Sequence, residues 1–281
     1  MLSASAAAAP RTDPVAAARV LARALAEEVR RAGFERVVVG LSGGVDSAAV
    51  LGLAARAFGP DGVLAVHLPV AGSSPEARDH AALAADTFGT ALRSVDLSGV
   101  LAALEAALPG SAGDRVRRGN LAARARMTAL YDLSAAERAL VAGTSNKTEA
   151  LLGYTTLWGD MAAALHPLGD LYKGEVRDLA RHLGVPAAIV DKPPTADLWA
   201  GQTDEAELGF TYAEADLVLY QWLDMGRRPE DLVKGGLDPR IVEAVRRRVL
   251  ASAYKRNPPL VLKVSSRTVG MEWRMPSDTG T

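Results

Sequence analysis

Apolar residues recur along this chain in two alternating rhythms. Val20, Leu21, Leu25 and Val29 fall at helical spacing, Asp13 stands where an N-cap belongs and Pro14 at the first helical position, so an amphipathic helix is predicted up to Gly33. A short apolar run over 37–39 then breaks at the glycines of 40–44, before an Ala- and Leu-rich segment over 47–58. Strand, loop and helix are predicted in that order. The alternation repeats: strands over 63–68, 91–95 and 140–143, and helices over 76–88, 100–108, 120–138 and 171–183, with a Gly, Ser and Arg loop over 109–119. Unbroken apolar strands separated by helices imply a parallel sheet buried on both faces.

Beyond that the pattern changes. Residues 191–209 hold prolines, glycines and acids without sustained periodicity, which suits a long functional loop, here expected to act as a lid. Helices return over 212–222 and 239–254, and Pro258 and Pro259 then block further helix. The expected organisation is a flexible terminus over 1–12, a single α/β domain over 13–257 and an extended tail over 258–281. No run reaches the roughly 18 apolar residues that would cross a bilayer, so no membrane association is expected.

Composition narrows the chemistry. Over 281 residues, 32 Lys and Arg against 33 Asp and Glu give a net charge of -1, which removes the case for a general nucleic-acid binder. With no cysteine there is no disulfide, no Cys-ligated metal and no catalytic thiol, in keeping with a cytoplasmic location. His67, His80, His166 and His182 show no metal-ligand spacing and are read as structural or surface residues.

Two segments carry the candidate chemistry, each between a predicted strand and a helix. The first is Ser42-Gly43-Gly44-Val45-Asp46-Ser47. Glycines let backbone N–H groups close on an anion, and the positive end of the following helix adds to the attraction. It lacks the Lys of a Walker A loop and the spacing of a dinucleotide fold. An Asp among phosphates would repel them unless a divalent cation intervenes, so Asp46 points to Mg2+ with a polyphosphate. The competing reading is a glycine turn with Asp46 or Ser47 capping the helix. The second segment is Gly143-Thr144-Ser145-Asn146-Lys147-Thr148-Glu149, in which Asn146 and Glu149 are also spaced as a capping box.

The hexapeptide resembles the pyrophosphate loop of the N-type ATP pyrophosphatases, and the second segment resembles the NAD synthetases of that superfamily. Asn120-Leu-Ala-Ala-Arg124-Ala-Arg126-Met127, Gly169-Asp-Leu-Tyr-Lys173, Lys192-Pro-Pro-Thr195-Ala-Asp197-Leu, Gly201-Gln-Thr-Asp-Glu and Tyr254-Lys255-Arg256 agree, in family order. The resemblance implies a Rossmann-like fold and amidation of deamido-NAD through an acyl-adenylate, with ATP, Mg2+ and ammonia. It also implies a homodimer whose interface helps build the deamido-NAD site. Carried over, Gly40, Leu41, Ser42, Gly43, Gly44, Val45, Asp46, Ser47, Thr144, Lys173 and Thr195 bind ATP. Asp46 and Glu149 hold Mg2+, and Asn120, Arg124, Tyr254 and Lys255 meet deamido-NAD; Asp46 and Lys173 are the catalytic pair. The alternatives are Lys173 as a solvated helix residue, Thr195 in a Pro-Pro turn, Asn120 as a cap and Arg124 as a surface charge.

Two positions depart from the stand-alone, ammonia-using form: Leu157 stands where a Lys is expected and Ala164 where an Asp is expected. This stretch looks more like the catalytic domain of the glutamine-dependent form. Without a cysteine, the nitrogen must come from free ammonia or a separate glutaminase. Rival readings are an ATP pyrophosphatase acting on another carboxylate and a nucleotide-binding regulator without turnover.

Overall fold

In the computed structural model, which describes residues 9–111, 113–195, 203–257, 259, 261–268 and 272, four short parallel strands form a sheet in the order β3-β2-β1-β4. They are β1 (Val37–Gly40), β2 (Val63–His67), β3 (Leu92–Ser94) and β4 (Leu140–Ala142). Val37 pairs with Val63 on one side and Leu140 on the other, so β1 is central. All three of its valines are fully buried. Val37 and Val39 enter the core on one face and Val38 the core on the other, which is why the run is apolar without alternation. The predicted doubly wound α/β class is what is observed.

Helices α1 (Pro14–Arg31), α2 (Val45–Phe58) and α7 (Lys173–Leu183) cover one face. Asp13 caps α1, accepting from the Val15 and Ala16 N–H groups. Val20 is exposed, however; the buried stripe runs through Ala17, Ala18, Ala22, Leu25, Ala26 and Val29, because alanines let α1 approach α2 and α7 closely. Between β2 and β3 lies α3 (Pro75–Thr87), and α4 (Ser98–Ala107) and α5 (Arg115–Glu137) contribute to the core of the opposite face. α5 starts five residues before the predicted Asn120, since Asp114 caps it.

A third hydrophobic cluster gathers Leu152, Tyr172, Tyr212, Leu219 and Val245, joining α6 (Lys147–Leu152) to α10 (Tyr212–Leu219) and α12 (Pro239–Ala251). The predicted helix over 212–222 loosens at Tyr220 into a π-turn, and the one over 239–254 stops at Ala251. Short helices α8 (Ala187–Val190), α9 (Asp204–Leu208) and α11 (Pro229–Lys234) escape the periodicity reading. α9 falls inside the loop expected over 191–209; residues 196–202 of that loop, with the Asp197 and Gly201 matches, and most of the tail expected over 258–281 lie outside the described residues.

Candidate functional site

The chain runs from β1 outward to β3 and then returns to β4 on the other side of β1. An open α/β sheet binds its ligands at the carboxyl ends of the two strands where the order reverses. A cleft of about 550 Å³ lies there. Residues 40–47, Asn120, Thr144, Glu149, Lys173, Thr195 and Lys255 line it, whereas Arg124 and Tyr254 do not.

The glycine loop follows β1 directly. Gly43 has φ 79°, and a Cβ there would stand 2.4 Å from Ala77 O in the first turn of α3. No side chain larger than glycine fits. Within the loop, Ser42 Oγ accepts from the Gly44 N–H at 3.2 Å and Ser47 Oγ donates to Gly44 O at 2.9 Å. Gly44 is the N-cap of α2 and offers no side-chain cap, so neither Asp46 nor Ser47 caps the helix. The first turn of this 14-residue helix keeps donors for an anion.

Asp46 turns instead to the β4 side. Its Oδ2 accepts from Lys173 Nζ at 2.6 Å and its Oδ1 from Asn146 Nδ2 at 2.8 Å. The same ammonium donates to Glu149 Oε1 at 2.9 Å and lies 5.0 Å from the Tyr212 ring centre. Lys173 is 3% exposed, so it is not a solvated helix residue. Half of the capping box forms: Asn146 Oδ1 accepts from the Glu149 N–H, while the Glu149 carboxylate goes to Lys173.

One ammonium cannot neutralise two enclosed carboxylates. Burial pushes the Glu149 carboxyl up to about 7, Lys173 opposing and Asp46 adding to the rise. Burial would lower Lys173, but Asp46 and then Glu149 outweigh it and hold the ammonium above its ordinary value. The excess negative charge fits a hard dication such as Mg2+, which takes one or two carboxylates and fills its shell with phosphate oxygens and water. Among the described residues no group of three metal-binding side chains builds a complete protein cage.

Lys173 is held in place from behind. Its N–H donates to Thr148 Oγ1 at 2.9 Å, Thr148 Oγ1 donates to Asp216 Oδ1 at 2.5 Å, and Asp216 Oδ2 accepts from the Gly174 N–H at 2.8 Å. Burial raises Asp216 to about 6 against these hydrogen bonds.

At the opposite end the cations meet backbone. Lys255 Nζ donates to Gly153 O at 2.8 Å and Thr155 O at 2.7 Å, and burial lowers its pKa. Arg124 is exposed and donates through Nε and Nη2 to Leu157 O at 3.3 and 3.2 Å. Asn120 lies within α5 rather than capping it, and its Oδ1 accepts from Thr156 Oγ1 at 2.7 Å. Tyr254 is 63% exposed in the turn after α12.

Sequence reasoning missed several lining residues. Asp160 Oδ1 accepts from the Thr156 N–H at 2.6 Å, and the surrounding protein raises its carboxyl although the side chain is open to the cleft. Tyr154 and Tyr212 both donate to Asp204, at 3.2 and 3.0 Å, and Tyr154 also donates to Glu207 at 2.7 Å. Asp204 entered only as part of the Gly201-Gln-Thr-Asp-Glu match and Glu207 not at all, since both sat in an aperiodic run. His67 is buried, with Nδ1 2.9 Å from Leu41 O, and lines the cleft.

The sequence profile of the family NAD synthase matches residues 17–259. The chain is 49% identical over 259 residues to the NH(3)-dependent NAD(+) synthetase of Chlorobium phaeovibrioides, covering 92% of this chain and 93% of that protein. It resembles the solved NMN synthetase of Francisella tularensis with a TM-score of 0.79 at 30% identity, over 90% of this chain and 99% of the other. For the NH3-dependent NAD synthetase of Campylobacter jejuni, solved with nitrate ion, the TM-score is 0.76 at 32% identity, over 90% and 100% of the two chains.

Proposed function

The chain belongs to the NAD synthase family, and from that premise we propose that this cleft amidates deamido-NAD to NAD with ammonia and ATP, releasing AMP and pyrophosphate through an acyl-adenylate. It is a carbon–nitrogen ligase. The observation that carries the reading is Lys173 bridging Asp46 and Glu149 beside a glycine loop at the reversal of the strand order.

No protein nucleophile is needed. The nicotinate carboxylate attacks the α-phosphorus of ATP, the bond to pyrophosphate breaks, and ammonia then displaces AMP from the acyl carbon. The chain aligns two anions that repel in water and answers the charge gathering on the leaving pyrophosphate with the loop N–H groups and Lys173. Asp46 and Glu149 would hold Mg2+, which supplies further charge neutralisation when bound. Thr144 and Thr195 offer hydroxyls to ATP, and Asn120 and Lys255 line the part of the cleft assigned to deamido-NAD. Ammonium must lose a proton before it attacks, and Asp160 is the carboxylate open to the cleft at that end.

Among the described residues no helix is long and apolar enough to cross a membrane. We place the reaction in the cytoplasm and the chain in a homodimer, for which exposed Val116, Tyr131, Trp158 and Tyr254 offer apolar surface. Nitrogen comes from free ammonia or a separate glutaminase.

A second reading is supported by the likeness to an NMN synthetase and by the departures at Leu157 and Ala164: the carboxylate would then belong to a nicotinate mononucleotide. Mass analysis of products formed from ATP, Mg2+, an ammonium salt and either nucleotide decides between them. NAD formed faster than the mononucleotide amide supports the first reading. The reverse moves the assignment to the second, and no AMP with either substrate sinks both.

A further inference from the structure

Lys192 is a cleft-lining cation whose partner stands outside the cleft lining. Its ammonium lies 3.0 Å from Glu76 Oε2, with side chains 18% and 60% exposed. Glu76 belongs to the first turn of α3, the same turn against which the glycine loop is packed, since it is Ala77 O that a Cβ at Gly43 would strike. The ion pair therefore parks the Lys192 ammonium on the flank of the phosphate-binding loop.

Charge makes that position consequential. Lys173, the other ammonium beside the loop, already serves two carboxylates. A triphosphate brings several further negative charges, and phosphate oxygens are stronger ammonium acceptors than one solvent-exposed carboxylate. The carboxylate side of the Glu76 pair is open to water, which weakens it and lets a better anion displace it.

We propose that Lys192 is a further ATP-binding residue: its ammonium leaves Glu76 for the phosphate oxygens of ATP and stays with the departing pyrophosphate, while Glu76 is its resting partner. This rests on the reading that the cleft takes ATP. The rival is a clasp that merely ties the segment before Thr195 to α3. The two differ in sign. If Lys192 binds phosphate, removing Glu76 takes away a competitor; if the bridge is a clasp, losing either partner does the same harm.

Titration calorimetry of the full chain with ATP, pyrophosphate and AMP in Mg2+ tests this. Lys192→Met should weaken ATP and pyrophosphate about 10- to 100-fold, the loss of one charged hydrogen bond, and leave AMP unchanged. Lys192→Arg should recover most of the affinity, and Glu76→Gln should bind ATP as tightly as wild type or more tightly. Wild-type affinity for ATP and pyrophosphate in Lys192→Met overturns the proposal, as does weakening by Glu76→Gln to the same degree. Should Lys192→Met fail to fold, the arginine and Glu76 variants decide it alone. A wild type that binds ATP with these responses yet amidates neither nicotinate nucleotide removes the functional reading and keeps Lys192. A wild type that forms NAD while Lys192→Met keeps its ATP affinity does the opposite.

Discussion

The two ends of the cleft are built from different kinds of contact. Beside the glycine loop, side chains answer side chains: Lys173 holds Asp46 and Glu149, and Asn146 steadies Asp46. At the other end, side chains answer backbone, with Lys255 on the carbonyls of Gly153 and Thr155 and, outside the lining itself, Arg124 on that of Leu157. Exchanging a residue in the first network removes a partner. A carbonyl is supplied whatever side chain its residue carries, so the second can change residue type and keep its hydrogen bonds. The departures at Leu157 and Ala164 lie outside the cleft lining and act through backbone; the Ala164 N–H donates to Val141 O and the Leu157 carbonyl accepts from Arg124.

The sharpest way to break this comparison is to strip charge from the first network. Lys173→Met leaves two carboxylates without their common ammonium, and turnover should fall by about 10³-fold or more, roughly 4 kcal/mol in the barrier. Asp46→Asn and Glu149→Gln should each cost nearly as much while thermal melting shows the fold intact, because each removes a charge at constant volume. A Glu149→Gln enzyme with near-normal kcat across Mg2+ concentrations would reduce Glu149 to a helix-start residue and leave the two ends alike.

Behind the first network the comparison can be sharpened by pH. Asp216 titrates at about 6 in the folded chain, above the usual value near 3.8, chiefly because it is buried. Below pH 4 both folded and unfolded chains carry the proton. As pH rises towards 6 the unfolded chain releases it first, so the fold loses stability, on the order of 2–3 kcal/mol in all, and the loss is complete above pH 6. Denaturant titrations from pH 4 to 7 should show this fall, and Asp216→Asn should make it shallower, leaving the part that Glu149, raised to about 7, contributes over the same range. An unchanged slope in the variant would mean that another group carries it.

How much of this was legible depended on the distance over which each contact acts. The glycine loop could be read because strand, glycines and helix are adjacent in sequence, and β1 because three consecutive valines must be buried on both faces. The bridge from Lys173 to Asp46 spans 127 positions and the Asn146 hydrogen bond to Asp46 spans 100, so local spacing gave Asn146 a capping role and nothing more. Helices α8, α9 and α11 have four to six residues, too few for a 3.6-residue period to register. Arg124 and Lys255 were picked out by family likeness, while their carbonyl partners carry no residue signature at all.

At the second end, removing a cation should matter to one substrate. Arg124→Ala and Lys255→Ala should raise the deamido-NAD requirement by about 1.5–3 kcal/mol each, roughly 10- to 100-fold in kcat/KM, with little change for ATP. Parallel kinetics with each substrate varied in turn provide the check. Equal losses for ATP and deamido-NAD would mean that these cations support the whole cleft rather than one end of it.

The smallest effect is the most direct test of backbone holding. If Arg124 is positioned by the Leu157 carbonyl, as its 3.2 Å contact indicates, then shortening the side chain at 157 leaves the hydrogen bond in place. Leu157 is only partly buried, so Leu157→Ala should cost the fold less than a core truncation, about 1 kcal/mol, and shift the deamido-NAD requirement by less than about 0.5 kcal/mol. Leu157→Pro is the informative contrast. It fixes φ near −65° and constrains Thr156 before it, and where this displaces the carbonyl it should reproduce part of the Arg124→Ala loss although it too removes no charge. Steady-state kinetics of the three variants, with melting temperatures to separate folding from binding, give the answer. A Leu157→Ala enzyme as impaired as Arg124→Ala would show that the leucine side chain itself shapes the substrate end, and the contrast between the two ends of the cleft would fail there.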